Sequence, residues 1–322
     1  MRPDIWDLIG HAHRQGVPTA LSPSATELLD DKAVQRIREL GVAAVSLSLD
    51  GPNPQVHDGI RLVPGTFERT LAAARRLQAA GVKLQINTAV MRRNVESLAD
   101  LAALLVRLGV RVWEVFYLVP VGRAGFEEDL SPEEWEDVSH FLYEASRHGL
   151  LVRTVEGPMF RRVAFIRQRL EEEGLDPDQA LKVGDLYHRL KARLTSLLGE
   201  AQDSPHVQTQ GTRDGRGILF IAYNGDVYPS GFLPKSLGNV RRERLAQIYR
   251  GRGLLQAIRR AEFGGRCGRC EFRDLCGGSR ARAYAYYQDP LAEDPACPYQ
   301  PEAYATLTLG DERLPSAGAG TL

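Results

Sequence analysis

With 322 residues, 43% of them hydrophobic and 25% charged, the chain is long enough for one large or two ordinary globular domains with a sizeable core. Its 41 basic and 41 acidic side chains cancel, so no global field draws it to nucleic acid or an anionic membrane, and neither is an expected partner. No apolar run reaches the roughly 18 residues of a transmembrane helix, and "MRPDIWDLIGHAHRQG" has acids among its apolar residues, unlike a signal peptide; a cytoplasmic chain with reduced thiols is expected.

The first predicted element is a helix over residues 3–15, and no strand feeds it. From there one unit repeats. An amphipathic stretch ends in glycine (Gly16, Gly41, Gly81, Gly109, Gly149) and a β-branched run follows, such as Val42 to Leu49. In "TFERTLAAARRLQAAG" the apolar residues Phe67, Leu71, Ala74 and Leu77 recur every three or four positions, a helical period. "SPEEW" reads as a helix start, with Ser131 as N-cap, Pro132 at the first helical position and Glu134 closing a capping box. About five such units fill residues 1–155 and predict a parallel α/β sheet with right-handed crossovers, as a doubly wound sheet or an incomplete (β/α) barrel.

Residues 156–204 read as a charged helical segment. "AQDSPHVQTQGTRDGRG" is a polar loop. A small α+β domain over 205–310 opens on a hairpin, in which Ile218–Tyr223 turns at Asn224-Gly225 in a type I′ turn. Residues 311–322 predict a flexible tail.

All four cysteines lie in that last domain: Cys267, Cys270, Cys276 and Cys297, spaced C-x2-C-x5-C-x20-C. Four thiolates suit tetrahedral zinc or an iron–sulfur cluster. A single C-x2-C with two isolated thiols leans toward the cluster, since zinc ribbons show paired C-x2-C motifs. Gly277 and Gly278 would let the backbone approach. Arg280 and Arg282 either offset thiolate charge or sit on a solvated helix face; being two apart, at most one faces the site. His57 and Asp58 read as loop hydrogen-bonders, and Tyr284, Tyr286 and Tyr287 as packing. The remaining histidines are scattered and support no metal site.

The tail resembles the SPASM domain of radical S-adenosylmethionine (SAM) enzymes: the hairpin "NGDVYPSGFLP", then "LGNV", the "LAQIYR" helix and the cysteine cluster. The resemblance assigns Cys267, Cys270, Cys276 and Cys297 to the second of the family's two auxiliary [4Fe–4S] clusters. For the first cluster the family has cysteines where this chain has Ser230 and Arg280, so one auxiliary cluster is implied. The front half is similar to the family's partial barrel, with "SLSLDGPNPQVHDGIRLVPGTFERT" as its fourth strand and "LSPSAT", "INTAV" and "LVPVGR" at neighbouring strand ends. Barrel sites gather at the C-terminal ends of strands. The resemblance implies a SAM site drawn from Ser48, Asp50, Arg61, Asn87, Thr88 and Leu118.

The family's C-x3-C-x2-C motif, which holds the SAM-cleaving cluster, is missing; no cysteine precedes Cys267. Its Gly-Gly-Glu-type motif is missing too, and "MRPDIWDLI" matches the family just after the second strand. The resemblance therefore implies an N-terminally truncated chain that would not cleave SAM alone and would expose an aggregation-prone strand edge. Full length, it implies a SAM-cleaving oxidoreductase or maturase served by an electron donor such as flavodoxin or ferredoxin. "CGGSRARAYA" is similar to members acting on tetrapyrroles in haem pathways; a peptide is the other substrate class. The alternative reading is a non-catalytic zinc- or cluster-bearing binding protein.

Overall fold

A glycine closes helix after helix. In the computed structural model, which describes residues 2–121, 125–201, 203–210 and 213–306, Gly16, Gly41, Gly81, Gly109 and Gly149 all have positive φ. Only glycine adopts that conformation at little cost, and it lets the chain leave a helix and enter a strand. Thus α1 (Ile5–Arg14) leads to β1 (Ala20–Leu21), and α2 (Asp31–Glu39) to β2 (Ala44–Ser48). After the short α3 (Pro54–Arg61), α4 (Thr66–Ala79) leads to β3 (Leu84–Val90), α5 (Leu98–Arg107) to β4 (Val112–Tyr117), and α6 (Pro132–Ala145) to β5 (Leu151–Val155).

The strands form one five-stranded sheet in the order β1-β2-β3-β4-β5, with β2 parallel to β1 and to β3. A doubly wound sheet reverses its order at a switch point; this one does not, which is the incomplete-barrel alternative. The register pairs Val45 with Leu84 and Ser48 with Asn87. One face buries Val45, Leu47, Ile86, Val90, Trp113 and Val115. The other carries Ser46, Ser48, Gln85, Asn87 and Glu114, by the alternation of a strand.

The chain forms two compact units, one of residues 1–116, 144–153 and 190–206, the other of 117–143, 154–189 and the residues from 207 onward. They cut across the linear boundaries at 155 and 205. The charged segment is helical, as α7 (Met159–Glu172), α8 (Pro177–Ala180) and α9 (Asp185–Leu198). In the second unit β6 (Arg213–Asp214) pairs with β7 (Gly217–Ile218), and β8 (Phe220–Ile221), β9 (Asp226–Tyr228) and β10 (Gly238–Asn239) form a sheet in the order β10-β9-β8. Four helices follow: α10 (Leu245–Gly251), α11 (Gly253–Arg259), α12 (Gly265–Arg269) and α13 (Arg280–Tyr287).

The hairpin turn differs from expectation. The Gly225 N–H donates to the Ala222 carbonyl and the Ala222 N–H to the Asp226 carbonyl, both at 2.9 Å. The loop is thus Tyr223-Asn224-Gly225, and only Gly225 has positive φ. A three-residue loop needs a single left-handed residue, where type I′ needs two. Among the described residues no helix is long and apolar enough to cross a membrane. The expected tail, Gly122 and Arg123 of "LVPVGR", and Gln202, Gly211 and Thr212 of the polar loop lie outside the described residues.

Candidate metal centre and candidate cofactor site

Cys267 lies on α12, Cys270 caps its C-terminal end, Cys276 is buried in the turns that follow, and Cys297 returns from the loop beyond α13. None is in a disulfide, and all four line one pocket with Met159, Arg162, Phe272 and Tyr299. The pocket is close to backbone because Gly277 and Gly278 both have positive φ. A Cβ on Gly278 would lie 2.5 Å from Arg280 Nη2, 2.7 Å from Asp294 Cβ and 3.0 Å from Cys267 Sγ. The Asp294 N–H donates to Cys267 Sγ at 3.3 Å, and Arg280 Nη2 reaches the same sulfur at 3.9 Å.

Burial pushes the thiols up: Cys270 to about 11, Cys297 to about 12, Cys267 above its ordinary value and Cys276 furthest. Thiols placed like this release their protons to a metal. The compensating charge comes partly from a residue the sequence did not reveal. Arg162 on α7 is 3% exposed and donates both ends of its guanidinium to Glu136, at 2.7 and 2.6 Å. That guanidinium lies 4.4 Å over the Tyr299 ring, and its charge favours the thiolates of Cys276 and Cys297. Nothing local in the sequence marks Arg162, because its partners are distant in the chain.

The solvated-face reading of Arg280 and Arg282 is corrected: both are buried. Arg280 stacks on Phe263 at 4.4 Å and donates to the carbonyls of Pro290 and Ala292, at 3.1 and 2.6 Å. Arg282 points elsewhere, to the carbonyls of Leu118 (2.9 Å) and Glu156 (3.1 Å) and to Asp294 (3.4 Å). Leu118 therefore belongs to the second unit and is buried there, its carbonyl committed to Arg282. Tyr286 and Tyr287 are exposed; Tyr286 donates to Asp129 at 2.8 Å and packs edge-on to Phe126.

In the first unit, Ser48 ends β2 with its side chain exposed and Asn87 lies beside it in register. Asp50 is buried; Oδ1 accepts the Ala89 N–H at 2.9 Å and Oδ2 lies 2.6 Å from Arg61 Nε, so it aims a partly exposed guanidinium. The Asp50 N–H donates to Nδ1 of the buried His57 at 3.0 Å. Burial holds that imidazole below its usual range, so it stays neutral. Asn94 donates at 2.8 Å to the carbonyls of both Asp50 and Ala89, tying the two strand ends together. Thr88 lies on the core side of β3, fully buried, donating to the Leu49 carbonyl (2.7 Å) and accepting from Trp113 Nε1 (2.9 Å). Its hydroxyl bonds within the core, and Asp50 holds Arg61. The polar face also holds a network the sequence did not single out. Gln85 donates to Asn87 (2.6 Å) and Glu114 (2.7 Å), Arg153 pairs with Glu114 at 2.9 Å, and Ser22 meets Ser46 at 2.6 Å.

Two family models match the chain: the radical SAM superfamily over residues 1–105, which takes in Ser48, Asp50, Arg61, Asn87 and Thr88, and an iron–sulfur cluster-binding domain, SPASM, over 213–271, which takes in Cys267 and Cys270. An AdoMet-dependent heme synthase of Oleidesulfovibrio alaskensis is 36% identical over 307 residues, 94% of this chain and 72% of the relative. The chain belongs to the radical SAM/SPASM family. A second AdoMet-dependent heme synthase, from Methanosarcina barkeri, is 33% identical over 93% of this chain and 80% of its own length. Streptococcus suis SuiB shares the fold at a TM-score of 0.60 and 14% identity, over 92% of this chain and 64% of SuiB.

Iron–sulfur clusters and SAM are the cofactors that radical SAM and SPASM domains imply in these relatives. The donor set here, four free thiols on one pocket, fits a thiolate-bound metal centre.

Proposed function

We propose that Cys267, Cys270, Cys276 and Cys297 hold a single [4Fe–4S] cluster in a radical SAM/SPASM oxidoreductase or maturase whose substrate is a tetrapyrrole. The observation that carries the reading is four free thiols lining one pocket beside the buried Arg162 guanidinium. When bound, such a cluster exchanges one electron at a time, with four protein thiolates and no open position by count. Ser230 and Arg280 stand where the family places cysteines of a further auxiliary cluster, and Arg280 is spent on carbonyls, which supports one cluster rather than two. Both relatives described above are named heme synthases, which favours a tetrapyrrole over a peptide. Ser48, Arg61 and Asn87 are proposed SAM contacts in the first unit. Four free thiols suit a reducing compartment such as the cytoplasm, with a ferredoxin or flavodoxin as electron donor.

These 322 residues hold no cysteines besides the four, so SAM cleavage by them alone is not proposed. Anaerobic reconstitution tests the reading. About four irons and four sulfides per chain are expected, with no 5′-deoxyadenosine formed from SAM. One zinc per chain in place of iron would sink it in favour of a zinc-bearing binding protein. An iron porphyrin carrying free propionates is expected to shift its absorption on binding; binding of peptides only would move the substrate class.

A further inference from the structure

A chain of hydrogen bonds leads away from the four-cysteine pocket. The Asp294 N–H donates to Cys267 Sγ at 3.3 Å, and Asp294 Oδ2 accepts the Ser279 N–H at 2.7 Å. The Ser279 hydroxyl donates to Glu156 Oε2 at 2.5 Å. Asp214 accepts from the Ala281 N–H at 3.2 Å. Glu156 and Asp214 thus both reach the N-terminal end of α13, the first at Ser279 and the second at Ala281. Asp294, Ser279, Glu156 and Asp214 are all buried.

Two buried carboxyl groups at one helix end, in a dry site, cannot both stay ionised, so one of them carries a proton. Burial and the Asp214 charge raise Glu156 well above the usual carboxylate range, and burial raises Asp214 as well. The charged groups facing the pair are few. Arg282 on α13 donates to the Glu156 carbonyl at 3.1 Å and lies 3.4 Å from Asp294, and Arg280 favours the ionised Asp214. Glu156 also has φ +56°, which is costly for a side-chain-bearing residue and accumulates at functional sites. Neither metal ligation nor the proposed SAM contacts use this pair.

We propose that Glu156 and Asp214 form a proton store linked to the electron state of the four-cysteine centre. This rests on the cluster reading. At rest the pair holds one proton. When a one-electron donor such as dithionite charges the centre, the pair takes a second proton from water. On reoxidation it returns that proton, and no bond to sulfur forms or breaks. Added negative charge near the pair raises its proton affinity, so the midpoint potential falls as pH rises between the pair's affinities in the oxidised and reduced states.

The test uses the full chain, reconstituted anaerobically, with iron and sulfide counted first. Potentiometric titration followed by electron paramagnetic resonance over about pH 6 to 9 is expected to show a falling potential. The limit is about 59 mV per pH unit for one proton per electron. Glu156→Gln and Asp214→Asn are expected to flatten that slope while keeping the iron count and the resonance spectrum. The infrared difference spectrum of the unaltered chain is expected to gain a protonated-carboxyl C=O band on reduction. A four-iron chain with a pH-independent potential, an unaltered slope in the variants, or no carboxyl band overturns this inference alone. A chain that loads zinc instead overturns the cluster reading and this inference together.

Discussion

Arg162 and Glu136 meet in a two-point ion pair almost closed to solvent. Removing one partner leaves the other charged and buried, which costs about 3–5 kcal/mol. Arg162→Met is therefore expected to lower the urea unfolding free energy by about that amount, and adding Glu136→Gln to recover part of it; full additivity of the two losses would contradict the pairing. Gly278 makes a different demand. Its added Cβ would collide with Arg280 and crowd Cys267 Sγ, whereas one on Gly16 meets nothing within 4 Å although both glycines have positive φ. Gly278→Ala is expected to lose most of its iron on reconstitution and Gly16→Ala to keep it. Equal iron in both would mean the pocket does not need that close backbone.

At the level of elements, the start of α6 shows what sequence reveals directly. The Glu134 N–H donates to Ser131 Oγ at 3.2 Å and the Ser131 N–H to Glu134 Oε2 at 2.7 Å, the capping box that "SPEEW" predicts. Ser131→Ala is expected to cost about 1 kcal/mol in denaturant unfolding. The glycine helix ends were equally legible, since each is a local conformational requirement. The hairpin was less so. Asn224-Gly225 fits a two- or a three-residue loop, and pairing of Ala222 with Asp226 decides it. Asn94 was not legible at all. It sits in an unremarkable "RRNVES" and acts through two carbonyls, one just beyond β2 and one in β3. Asn94→Ala leaves them unsatisfied and is expected to cost about 1–3 kcal/mol, read as a lower thermal midpoint.

Across the whole molecule, each compact unit keeps one fully buried, neutral histidine, His57 in the first and His140 in the second. Burial holds His140 down to about 3, and His57 is lowered for the same reason. Unfolded, each titrates near 6.5, so their stabilisation is complete above that pH. It fades as pH falls toward the folded value, because the unfolded chain then binds more protons. Between pH 7.5 and 5 the loss from His140 is about 2 kcal/mol. Urea midpoints at the two pH values check this; His140→Gln is expected to shrink the difference, and an unchanged difference would exclude His140 as its source. The same scale explains why the compact units are discontinuous along the chain. Glu136 with Arg162, and Leu118 and Glu156 with Arg282, join distant segments into one unit. No window along the sequence contains both ends of such a contact. The cysteine spacing and the alternation of glycine-ended helices with strands did survive in the sequence, because each is written within a few neighbouring residues.

Trp135 is fully buried, stacked at 4.5 Å on Tyr117, with the Arg282 guanidinium 5.5 Å from its ring. Arg282 touches Asp294, and Asp294 touches Cys267. An iron–sulfur chromophore absorbs broadly where indole emits, so this side chain is a built-in optical gauge of metal loading. Emission excited in the indole band is expected to fall as iron enters and to recover on chelation, with part of that change lost in Trp135→Phe.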